Sequence, residues 1–72
     1  MLIATWNVNS IRTRLTQVED FLDEVQPDLI CLQETKVEDK LFPKTTFEEK
    51  GYFVNIYGQK AYNGVALISR LP

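Results

Sequence analysis

The apolar run Leu29-Ile30-Cys31-Leu32 gives way at once to Gln33-Glu34-Thr35-Lys36. A short, uninterrupted apolar run reads as a strand covered on both faces, as in a parallel sheet. In open α/β sheets, ligands bind beyond the carboxyl ends of the strands. Glu34 therefore falls where a bound metal or phosphate is expected.

The preceding residues supply a partner strand. Leu2–Trp6 is apolar and ends at Asn7, and the loop Asn7-Val8-Asn9-Ser10 carries amide and hydroxyl groups that favour turns and helix starts. Ile11, Leu15, Val18, Leu22 and Val25 then recur at helical spacing, with Phe21 widening the stripe. Ser10 and Thr13 are candidate N-caps, and Thr16 with Glu19 has the form of a capping box, so the helix is expected to start between Ile11 and Gln17. Pro27 disfavours helix at Gln26 and ends it there. Strand, helix and strand make a βαβ unit, whose strands are parallel neighbours joined by a right-handed crossover. Such neighbours lie about 4.8 Å apart and finish at one sheet edge. Asn7 and Glu34 are thus expected to point into one cleft, with Asn9, Arg12 and Lys36 on the loops around it.

Val37 to Pro43 reads as irregular, with Phe42 tucked beneath it. Thr45 or Thr46 is expected to cap a short helix over Phe47–Lys50 that Gly51 stops. Tyr52–Tyr57 and Val65–Ser69 read as strands of a hairpin across the polar loop Gly58–Gly64, with Asn63-Gly64 as an alternative tight closure. One helix covers one sheet face, whereas the Leu29–Leu32 run asks for both. The 72 residues are therefore expected to be the opening part of a larger α/β domain.

Composition removes several chemistries. With one cysteine and no histidine, the chain holds no intrachain disulfide, no Cys/His zinc cluster and no histidine-based triad. The net charge of −2 is not that of a typical nucleic-acid binder. Acidic residues gather at Glu19, Asp20, Asp23, Glu24, Glu38, Asp39, Glu48 and Glu49, while Arg12, Arg14, Lys36 and Lys60 follow strands or sit in loops. An acidic body with cations along one rim is compatible with a phosphate-bearing ligand. No apolar stretch is long enough to span a bilayer and no basic leader precedes the first strand, so a cytoplasmic protein without a membrane partner is expected. Trp6 and Cys31 read as core, and no Gly-rich nucleotide loop is present.

At Trp6-Asn7-Val8-Asn9-Ser10-Ile11-Arg12, Leu32-Gln33-Glu34-Thr35-Lys36 and Gly58-Gln59-Lys60-Ala61-Tyr62-Asn63-Gly64-Val65-Ala66, the chain resembles the exonuclease III family of apurinic/apyrimidinic endonucleases. These belong to the endonuclease/exonuclease/phosphatase superfamily. The resemblance implies a DNase I-like four-layer α/β sandwich, of which residues 1–72 would be the N-terminal β-α-β and hairpin portion of a single domain. It further implies a DNA repair nuclease that uses magnesium or manganese to hydrolyse phosphodiesters at abasic sites and 3′ ends of double-stranded DNA, acting as a monomer when complete. By the same resemblance Glu34 is the metal-binding carboxylate. Asn7 lines the site, and both are counted as catalytic and metal-site residues. Lys36 lies beside the metal, and Arg12, Lys36 and Tyr62 face DNA. Asn9 matches a position that is aspartate in some relatives. The family's water-handling aspartate, its second Asn-bearing motif and its C-terminal Asp-His pair have no counterpart here, so the piece alone is expected to be inactive. An inositol or lipid phosphoesterase of the same superfamily is the second reading, and a non-catalytic folding fragment the third.

Overall fold

A computed structural model describes residues 1–72. Strands β1 (Ile3–Asn7) and β2 (Leu29–Gln33) are parallel neighbours, in register from Ile3 opposite Leu29 to Asn7 opposite Gln33. Helix α1 (Leu15–Val25) connects them. Strands β3 (Phe53–Tyr57) and β4 (Val65–Ser69) form the expected antiparallel hairpin across residues 58–64, and β4 inserts beside β2. The result is one mixed sheet of order β1-β2-β4-β3, with β2 paired on both sides.

Helix α1 opens at Leu15, inside the expected window, but none of the candidate caps closes it. Ser10 Oγ instead accepts the backbone N–H of Thr13 at 3.3 Å and its hydroxyl at 3.1 Å, which tightens the turn before the helix. Thr16 lies within the helix, so Thr16 and Glu19 form no capping box there. At the other end Gln26 takes a left-handed conformation (φ 52°) and its N–H reaches the Leu22 carbonyl at 3.0 Å, immediately before Pro27. Val18 and Leu22 are the residues α1 buries, and Phe21 meets Trp6 edge-on at 6.0 Å between ring centres.

The second helix departs from expectation. Helix α2 covers Lys44–Glu48, so Thr45 and Thr46 are interior residues rather than caps. Pro43 sets the boundary, since its fixed φ and missing N–H suit the start of a helix. Starting there also turns Phe47 fully into the core, 5.9 Å from Phe42. A single 3₁₀ turn, Asp39–Leu41, sits within the stretch expected to be irregular.

One face of the sheet is packed and the other is bare. Ile30 and Leu32 of β2, with Ala66 and Ile68 of β4, pack against Val8, Ile11, Val18, Leu22, Val37, Phe42, Phe47 and Tyr52. On the opposite face Leu29 and Cys31 are only half-buried, and Ile3, Phe53, Val65 and Leu67 are exposed. Within these residues one face of the Leu29–Leu32 run is covered and the other is not, as expected of the opening part of a larger domain. Cys31, expected in the core, lies half-buried on the bare face. The pleat sends alternate side chains to opposite faces, and the core residues supplied by both helices pack on one of them. Trp6, also expected in the core, is half-buried at its margin.

Candidate active site at the carboxyl ends of the parallel strands

The parallel pairing of β1 and β2 continues beyond both strands. The N–H of Val8 donates to Gln33 O at 3.0 Å, that of Ser10 to Glu34 O at 2.9 Å, and that of Ile11 to Thr35 O at 3.0 Å. From the other side, the N–H groups of Thr35 and Lys36 donate to the carbonyls of Gly64 at 3.2 Å and Asn63 at 2.8 Å. Residues 33–36 are thus stitched between two loops. Within them Glu34 (φ 55°) and Lys36 (φ 56°) adopt left-handed backbone, as do Asn9 (φ 45°) and Ser10 (φ 90°) across the cleft. Non-glycine residues hold such conformations only where the surroundings over-determine them, and these positions cluster at functional sites. The buried Thr35 lies between Glu34 and Lys36, which both reach solvent.

Four polar side chains close a ring at this corner. Asn7 Nδ2 donates to Glu34 Oε2 at 2.6 Å. Asn7 Oδ1 accepts the backbone N–H of Asn9 at 3.2 Å, a local turn that fixes the amide. Lys36 Nζ donates to Asn9 Oδ1 and lies 3.7 Å from Glu34 Oε1. The Glu34 side chain is 44% exposed and that of Lys36 34%, so both are supported by protein yet open to a ligand. The expected convergence of Asn7 and Glu34 on one rim is what the coordinates show, with Asn9 and Lys36 completing the group. Arg12 and Tyr62 are exposed on the loops to either side and share no side-chain hydrogen bond with the ring. A groove of about 280 Å³ runs beside the 58–64 loop, between Tyr57 and Val65.

The supporting contacts of two residues carry no signal in the sequence, although Thr35 itself stands in the Leu32–Lys36 motif. Thr35 is buried against Gly64, and Asp39 Oδ1 accepts the Gly58 N–H at 2.6 Å. Asp39 lies in a charged, aperiodic stretch where no pattern separates it from its solvated neighbours. Nowhere in the chain do three or more His, Cys, Asp or Glu side chains converge as a preformed metal cluster.

The sequence profile of the Endonuclease/Exonuclease/phosphatase family matches residues 4–72. The chain is 43% identical over 70 residues to an exodeoxyribonuclease III of Haemophilus influenzae, an alignment covering 97% of this chain and 26% of that protein. Among solved structures, an AP endonuclease from Archaeoglobus fulgidus superposes with a TM-score of 0.94 at 54% identity, over 97% of this chain and 28% of that one. A 3′ phosphatase from Neisseria, solved with a product DNA hairpin, superposes with a TM-score of 0.95 at 46% identity, over 97% of this chain and 27% of that one. The chain thus spans about a quarter of the length of these relatives. The backbone of the mixed sheet and its helix-covered face thus superposes on the matching part of those two structures. This chain belongs to the endonuclease/exonuclease/phosphatase family.

Proposed function

We propose that residues 1–72 form the N-terminal part of an exonuclease III-type DNA repair nuclease, which hydrolyses phosphodiesters of double-stranded DNA at abasic sites and 3′ ends. The observation that carries this reading is the ring Asn7–Glu34–Lys36–Asn9 at the shared strand edge. Its support comes from the relatives, which are named as exodeoxyribonucleases and AP endonucleases. No observation favours the phosphoesterase alternative.

The donor set fits a hard divalent cation in its simplest form. Magnesium is commonly held by one or two carboxylates and keeps several waters. Glu34 supplies one such carboxylate, half open to solvent, and is the residue that would hold Mg²⁺ or Mn²⁺. Asn7 offers the carboxylate its N–H and keeps its oxygen on the Asn9 backbone. Its Oδ1 has a second lone pair through which it would join Glu34 as a ligand. The bound cation would neutralise charge on a phosphoryl group and make an attached water more acidic. In this arrangement Asn7 fixes the carboxylate rotamer, and Lys36, itself held by Asn9, brings positive charge to a phosphate oxygen. Arg12 and Tyr62 meet the flanking DNA backbone. The overall charge of −2 makes these local cations decisive for docking.

A chimera tests the reading. Residues 1–72 replace the matching segment of the Haemophilus influenzae relative, and incision of a duplex with one abasic analogue is followed in magnesium. Incision is expected, with a loss of about 10²-fold or more on Glu34→Gln, which keeps the size and removes the charge. A chimera that folds but does not incise, or incision indifferent to Glu34→Gln, counts against the proposal. The isolated 72-residue chain is expected to give no measurable incision.

A further inference from the structure

The loop between β3 and β4 carries the exposed Lys60 and Tyr62, and its residues 59–62 make no hydrogen bond to the rest of the chain. Both of its ends, by contrast, are fastened. At the start, the Asp39 carboxylate accepts the Gly58 N–H at 2.6 Å, a charge-assisted bond. Gly58 also lies so close to the Val37 carbonyl that a Cβ there would overlap it. At the other end Gly64 (φ 94°) sits against Thr35 Oγ1, where a Cβ would again overlap. Ala61 (φ 67°) and Asn63 (φ 51°) hold left-handed backbone between these anchors. The second anchor is the peptide stretch that joins Glu34 to Lys36.

We infer that Asp39, Gly58, Thr35 and Gly64 are positioning residues, which preset the 58–64 loop so that Tyr62 meets the DNA backbone in a fixed relation to Glu34. This rests on the nuclease reading above. Four loop residues without bonds of their own would have to be ordered when DNA binds, and that ordering opposes association. Fastening one end to Asp39 and the other to the Glu34–Lys36 stretch removes part of that cost in advance. It also lets a contact at Tyr62 register the phosphate at the ring rather than merely add affinity. The Asp39 side chain acts through the Gly58 N–H rather than by touching DNA.

The test uses the chimera described above, amide hydrogen exchange, and fluorescence anisotropy with a labelled duplex bearing an abasic analogue. Asp39→Ala is expected to speed exchange at Gly58 and through residues 59–62 while leaving β2 and α1 protected. It should weaken duplex binding at least about fivefold. Asp39→Asn keeps an acceptor oxygen and should restore both to near the parent values. In a Tyr62→Ala background, Asp39→Ala should change duplex affinity little, because the two act in series. Unchanged exchange in Asp39→Ala overturns the inference. So does a full and additive loss in the double variant, which would make Asp39 a general stabiliser. If the parent chimera itself ignores the duplex, the nuclease reading of this surface fails, while the exchange data still decide whether Asp39 holds the loop.

Discussion

Glu34 sits in a conformation that an L-residue adopts only at a cost of roughly 1 kcal/mol or more. A glycine would sit there without strain, yet would offer no carboxylate. Two replacements separate strain from chemistry. Glu34→Gly is expected to be more stable than Glu34→Ala by about 0.5–1 kcal/mol, the reverse of the usual order, as read from urea midpoints. An Ala variant at least as stable as Gly would mean that the corner is relaxed. At Gly64 both space and backbone oppose a side chain, because φ is 94° and a Cβ would overlap Thr35 Oγ1. Gly64→Ala should therefore cost about 2 kcal/mol or more by the same measurement. The placement of Asn7 and Glu34 at one rim could be approached from the sequence because strand ends are set by hydrophobic pattern. Thr35 and Asp39 could not, because their partners are backbone atoms of a loop whose path no pattern encodes.

Helix α1 and the turn after α2 are tied by a single ion pair. Lys50 Nζ lies 2.9 and 3.0 Å from the two oxygens of Asp23. The hydrogen bond to Asp23 is the main cause that holds the lysine above its ordinary range, with the Asp23, Glu19 and Asp20 charges adding to it. A raised folded-state value means that the contribution is complete below the unfolded lysine value, about 10.4. It fades as the pH climbs through the folded value. Lys50→Met should accordingly melt below the parent at pH 8, with the gap closing at strongly alkaline pH. A gap that persists there would assign the difference to packing. The same two segments show how far periodicity carries a reading. The stripe from Ile11 to Val25 located α1, and its start fell within the expected window. The five residues of α2 are too few for a period to emerge, so the threonines point to a later start than Pro43, the actual boundary. The hairpin was legible because β-branched and aromatic residues flank a polar loop. Its insertion beside β2 was not, since pairing between distant strands leaves no local mark.

The packed side of the sheet is the chain's only core, and twelve buried hydrophobic side chains make it up. A unit this small has little stability in reserve, on the order of 3–5 kcal/mol. Phe47 is fully buried at the centre of that layer. Phe47→Ala removes about 3–5 kcal/mol, so far-UV circular dichroism at 25 °C should show the variant largely unfolded. A variant with native ellipticity and a cooperative melt would mean that the bare face or another contact adds stability not visible in the core.

The strand order β1-β2-β4-β3 divides the molecule into two pieces built from near neighbours in the chain, the βαβ unit and the hairpin. Pairing within each closes a short loop, whereas joining β2 to β4 brings together residues from Leu29 to Ser69. The carboxylate corner draws on both pieces: Asn7 and Glu34 come from the first, while Asn63 and Gly64 come from the second. Its assembly is therefore expected to be a late event. A fluorophore or isotope label placed at Lys36 would act as a clock for the final docking step, lagging behind probes on α1 during refolding.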